Sequence, residues 1–196
     1  MKNRITLYRM TAAALLMALV FVLGMTPLGL IPLGFINVTI LCVPVITGAL
    51  VLGARSGLLL GLCFGTASTL SMLGISLTPP SALASTLFAA SPACALIMCY
   101  APRLLVPVVA WCVHKLISSK GKGRLAITAS AVAGSLTNTV FYLGLMLLFY
   151  IIMGINSERV LTLIGGTGLI AGSLEAVANA LITTPVVLAL RKFEHK

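Results

Sequence analysis

Glu175 is the first anomaly of the chain, because it lies inside the apolar run from Leu169 to Leu190. An acidic side chain in the middle of such a segment costs about 2.5 kcal/mol or more to place in a bilayer, so it needs a partner. Asn179 and Thr183 follow at intervals of four, which sets all three on one stripe of a helix. The stripe reads either as hydrogen bonds between packed helices or as one wall of a polar cavity. Ser135, Asn138, Thr139 and Tyr142, spaced three and four apart, form a second polar face. Their amides and hydroxyls suit the uncharged polar body of a ligand, with interhelical bonding as the alternative. Arg103, directly after Pro102, supplies a guanidinium that can receive a carboxylate or phosphate in bidentate fashion. An interfacial anchor or a counter-ion for Glu175 are its other readings.

Several chemistries are excluded by what these residues lack. There is no GxxxxGK[ST] phosphate loop, so the chain does not use ATP in that manner by itself. The sequence contains no Asp, which removes an intramembrane aspartyl pair, and His114 and His195 are too far towards one end to serve a buried serine. Cys42, Cys63, Cys94, Cys99 and Cys112 form no CxxC pair and have no carboxylate or histidine at zinc-ligand spacing, so they read as small apolar side chains. Cys94 and Cys99 are placed where they could meet in an outer loop. No catalytic residue, metal or cofactor is expected, and the chain reads as a non-enzyme. Asn37-Val38-Thr39 matches a glycosylation sequon but falls at a predicted helix start. Trp111 and Tyr100 read as packing or interface aromatics.

The elements that position these residues follow from composition. Of 196 residues, 60% are hydrophobic and only 8% charged, which describes a membrane protein with no room for a sizeable soluble domain. The predicted fold is all-α, a single domain over residues 1–196 forming an integral membrane bundle of six transmembrane helices. Its spans run over about 7–25, 37–53, 57–73, 101–117, 125–153 and 160–190, with an outer loop over about 74–100 whose Thr78-Pro79-Pro80 disfavours a continuous helix. With both termini cytoplasmic, Lys2, Arg4, Arg9, Arg55, Lys115, Lys120, Lys122, Arg124, Arg191, Lys192 and Lys196 all lie inside. Arg103 and Arg159 alone fall outside, so the positive-inside rule selects this orientation. The net charge of +10 is thereby a topology signal rather than a nucleic-acid footprint. Small residues recur at intervals of four in Ala14 and Ala18, and in Gly57, Gly61 and Gly65, a pattern that permits close approach of a neighbouring helix or a partner.

Taken in order, these segments resemble the substrate-binding S components of energy-coupling factor (ECF) vitamin transporters. Thr26-Pro27-Leu28-Gly29-Leu30-Ile31-Pro32-Leu33-Gly34, then Thr39, Val43-Pro44-Val45-Ile46-Thr47-Gly48-Ala49 and Leu52-Gly53, resemble the first loop and second helix of the pantothenate-type branch. Cys42 stands where that branch often carries histidine. Ala101-Pro102-Arg103-Leu104-Leu105-Val106 resembles the start of its fourth helix. Gly134-Ser135-Leu136-Thr137-Asn138-Thr139 with Leu143-Gly144 resembles the fifth, and Glu175-Ala176 fits the last.

The resemblance implies a subunit that captures a vitamin-type small molecule, pantothenate as the first expectation, at the outer face of a bacterial plasma membrane. The guanidinium and the two polar faces read above supply the expected substrate contacts, Arg103, Asn138, Thr139, Tyr142, Glu175 and Asn179. The resemblance also implies that Ala14 and Ala18 face a coupling transmembrane subunit, which works with two cytosolic ABC ATPases. The alternatives are a structural or assembly membrane protein without a small ligand, or a stand-alone secondary carrier, which the absence of paired repeats disfavours.

Overall fold

The computed structural model describes residues 2–32, 37–119, 121, 123–155 and 157–194. Lys120, Lys122 and Lys196 of the inward charge set, and Leu33 and Gly34 of the first-loop motif, lie outside these. The chain is almost wholly helical. Helix α1 runs over Lys2–Met25 and ends where Pro27 offers no N–H, with the Thr26 hydroxyl donating back to Val22 O at 2.8 Å. A two-stranded antiparallel ribbon follows, β1 (Leu30–Pro32) and β2 (Asn37–Thr39), with Leu30 opposite Thr39.

Helix α2 occupies only Cys42–Val51, and every one of its ten residues is buried. A single helix over 37–53 was the expectation. The structure instead divides that stretch into a strand, Asn37–Thr39, and a short helix, with β-branched Thr39 ending the strand and its hydroxyl accepting from Leu41 N at 3.1 Å. At 1.5 Å per residue α2 is about 15 Å long, half a hydrocarbon core. Helices α1, α3, α5, α6 and α8 all pack on it. Gly53, at φ +99°, turns the chain sharply into α3 (Ala54–Met72), a conformation that L side chains resist.

The segment read as a long outer loop is shorter and more ordered than expected. After α3 comes α4 (Ala82–Ala90), whose N-cap Ser81 accepts from Ala84 N, and then α5 (Pro92–Ser118), with N-cap Ser91 and Pro92 in its first turn. Pro102, taken as a helix start in the sequence, lies inside α5. Its missing N–H leaves the Met98 carbonyl without a helical donor. Arg103 fills the gap, its Nη1 donating to Met98 O at 2.9 Å. Cys94 and Cys99, both free thiols, therefore share one helix instead of meeting in a loop.

Helix α6 (Gly123–Ile152) is followed by α7 (Ser157–Leu163), a π-helical turn over Ile164–Gly168, and α8 (Leu169–Glu194). The glycines at 165, 166 and 168 thus separate the expected sixth span into two helices. Among the described residues, four helices are long and apolar enough to cross a membrane: Leu7–Met25 of α1, all of α5 and α6, and Ile170–Lys192 of α8.

The core has two apolar clusters. One surrounds α2, with Leu41, Val45, Ile46, Leu60, Phe64, Val106 and Ile127. The other joins α4, α5 and α6 through Leu83, Leu87, Met98, Met146 and Tyr150, whose hydroxyl donates to Leu83 O at 2.7 Å. Close contact of α3 with its neighbours comes from its glycines. A Cβ on Gly57 would meet Ala49 and Pro107, one on Gly61 the Arg103 carbonyl oxygen, and one on Gly65 the Tyr100 ring. The glycine stripe therefore serves packing inside the bundle.

Candidate functional site

A cavity opens where the two apolar clusters meet, with about 740 Å³ between its walls including the part open to solvent. Five helices contribute: Ser68, Ser71 and Met72 from α3, Ala84 from α4, Cys99 and Arg103 from α5, Asn138, Thr139, Tyr142 and Leu143 from α6, and Ala171, Gly172 and Glu175 from α8. Leu30 and Thr39 of the ribbon and Gly168 of the π turn also line it.

Arg103 is the cation of this site. It is the twelfth residue of α5, about 16 Å along the helix, and only 7% exposed. The sequence placed it at the outer end of a span; the earlier start of α5 carries it inward. Its guanidinium lies 4.5 Å from the Tyr142 ring centroid and 5.3 Å from that of Phe64. The two aromatic rings hold the planar group by cation–π attraction. With Nη1 committed to Met98, Nε is buried and has no protein acceptor. No ion pair within 4.0 Å joins Arg103 to Glu175 among the described residues.

Glu175, in the second turn of α8, faces the start of α2, where the Cys42 thiol donates to its Oε1 across 3.9 Å. Asn138 on α6 is buried, and its Oδ1 accepts no hydrogen bond from the protein. The Thr139 hydroxyl donates to Ser135 O at 3.3 Å while the residue lines the cavity.

Five of the six substrate residues expected from the sequence, Arg103, Asn138, Thr139, Tyr142 and Glu175, line this one cavity. Asn179 does not. Its Nδ2 donates to Ser135 Oγ at 2.8 Å, so it joins α8 to α6 one turn beyond Glu175. Asn179→Ala is accordingly expected to lower stability by about 1–3 kcal/mol through the orphaned serine, with ligand affinity kept within threefold. Chemical denaturation beside titration calorimetry checks this, and a selective loss of affinity would return Asn179 to the site.

Sequence reasoning missed Ser68 and Ser71, Thr39 and Cys99. A signal existed for the serines, because Phe64, Ser68 and Ser71 share a helical face, but α3 is rich in small polar residues on every side.

Comparison with known proteins shows the family of the chain. The chain is 32% identical over 155 residues to the pantothenic acid transporter PanT of Lactococcus lactis subsp. cremoris, an alignment that covers 76% of this chain and 74% of that protein. The family profile described as "ECF transporter, substrate-specific component" matches residues 8–187. That is a transporter family and not an enzyme family. With nearly its whole length matched and four apolar helices long enough to span a bilayer, this chain is a multi-pass membrane protein and belongs to the substrate-specific components of ECF transporters.

Proposed function

We propose that this chain captures pantothenate at the outer face of a bacterial plasma membrane and hands it inward within an ECF complex. The observation that carries the reading is a buried cavity whose Arg103 Nε and Asn138 Oδ1 have no partner in the protein. Buried polar groups cost free energy when unpaired, so such atoms are complementary to a ligand that is both anionic and rich in hydrogen-bond donors. Pantothenate has this chemistry: a carboxylate, an amide and two hydroxyls. Similarity to a Lactococcus protein named for pantothenic acid supports the choice.

In this reading Arg103 draws the carboxylate, and Asn138, Thr139, Tyr142 and Glu175 hold the polar body. The chain forms a single domain that crosses the bilayer six times with both ends cytoplasmic, the short α2 and its ribbon counting as one crossing. A coupling transmembrane subunit and two cytosolic ABC ATPases supply the work. Titration of pantothenate into the detergent-purified chain, without any partner, tests the proposal. Saturable one-to-one binding is expected; a folded sample that binds none of it overturns the reading.

Ala14 and Ala18 lie on an exposed face of α1, beside exposed Leu15 and Leu19. Small residues on a lipid-facing helix allow close approach of a partner helix, and this face is assigned to the coupling subunit. Ala14→Leu is expected to lower uptake by the assembled transporter roughly tenfold by blocking that approach, while solitary binding of pantothenate is unchanged. Normal uptake by the variant sinks the assignment.

A further inference from the structure

The α3 wall of the cavity has no role in the reading so far. Ser68 and Ser71 line it, 8% and 4% exposed, and neither hydroxyl has a hydrogen-bond partner in the protein. Their neighbours on the same helix behave differently. Thr66 donates to Leu62 O at 2.8 Å and Thr69 to Gly65 O at 2.9 Å, the usual bond of a helical hydroxyl to the carbonyl four residues back. Ser68 and Ser71 forgo that bond although they are more deeply buried, so their hydroxyls are left to the cavity.

Their placement relative to charge is specific. Ser68 is one turn along α3 from Phe64, the ring beside the Arg103 guanidinium, and Ser71 is one turn further on the same face. The α3–α5 side therefore presents three groups able to donate: Arg103 Nε and two hydroxyls. The α6–α8 side presents acceptors, the free Asn138 Oδ1 and the Glu175 carboxyl oxygens. We propose that the cavity is polarised, with Ser68 and Ser71 completing a carboxylate-selecting subsite around Arg103 and Asn138 with Glu175 receiving the hydroxyl or amide N–H groups of the same ligand. This rests on the capture of pantothenate and deepens it, by fixing which end of the molecule meets which helices and by assigning specificity to α3.

The test compares pantothenate with pantothenyl alcohol, in which a CH2OH group replaces the carboxylate, by titration calorimetry on the purified chain. A hydroxyl bonded to a charged group contributes enough that losing both corresponds to roughly a tenfold or greater loss of affinity. Ser68→Ala/Ser71→Ala is expected to lose at least that for pantothenate and less than about threefold for the alcohol, and each single variant is expected to show part of the effect. Equal losses for the two ligands, or none for either, overturn the polarised cavity while leaving the capture reading intact. Failure of the unaltered chain to bind pantothenate overturns both. Melting temperatures of the variants identify misfolding, and if the double variant does not fold, the single variants read by the same two-ligand ratio decide.

Discussion

Arg103→Ala is expected to abolish pantothenate binding at micromolar concentrations. Truncating one member of a buried charged pair costs about 2–5 kcal/mol, roughly a 30-fold or greater loss of affinity. The variant also returns the Met98 carbonyl, which Pro102 has already deprived of its helical donor, to an unpaired state. A fall in stability of about 1–3 kcal/mol is expected from that source alone. Arg103→Lys separates the two effects. It keeps the positive charge but loses the planar group between Phe64 and Tyr142 and the fork that serves carbonyl and ligand together. Its affinity is expected to fall between those of the parent and the alanine variant. Calorimetric binding constants check the series, and an alanine variant within threefold of the parent would place the anion elsewhere.

The second large effect comes from a residue that carries no functional group. A Cβ on Gly61 would stand 2.6 Å from the carbonyl oxygen of Arg103 and 3.5 Å from Leu104 Cα. Both are backbone atoms, so no rotamer change relieves the overlap and α3 must move away from α5. Gly61→Ala is expected to cost about 1–3 kcal/mol of stability. The struck residue is also the ligand's cation, so affinity is expected to fall with stability. Gly144→Ala is the control: nothing lies within 4 Å of its Cβ position, and within α6 the change is expected to be neutral or to stabilise by up to about 1 kcal/mol. Thermal unfolding in detergent with parallel ligand titration distinguishes the two. A Gly61 variant as stable and as tight-binding as the parent would refute the claimed contact.

Much of the site was legible in the sequence because helical periodicity converts spacing directly into a shared face. Asn138, Thr139 and Tyr142 are an example, and their stripe does line the cavity. Periodicity does not say what lies opposite a face. The four-residue repeat of Gly57, Gly61 and Gly65 meets other helices of the bundle, whereas the similar repeat of Ala14 and Ala18 is exposed. Asn179 shares the stripe of Glu175 yet its Nδ2 donates to Ser135, and it lies outside the cavity lining one turn further along the helix.

The fold was harder to read where apolar residues run on without a break. Residues 37–53 are apolar enough for one span, and hydropathy does not distinguish that from a strand joined to a short buried helix. Pro102 misled for a different reason. A proline inside a helix is tolerated when another donor replaces its missing N–H, and here the replacement is the side chain of the next residue.

The shortness of α2 has a consequence for how the protein enters its membrane. A segment of ten residues does not reach from one bilayer surface to the other, so its terminal N–H and C=O groups would stand unpaired in lipid if it were inserted alone. Most helices of a membrane bundle can be stable individually before they associate. Helix α2 cannot, and it becomes stable only once the five surrounding helices enclose it and side chains such as Arg191, bonded to Leu50 O at 3.1 Å, satisfy its end. Insertion and folding are therefore one event for this segment.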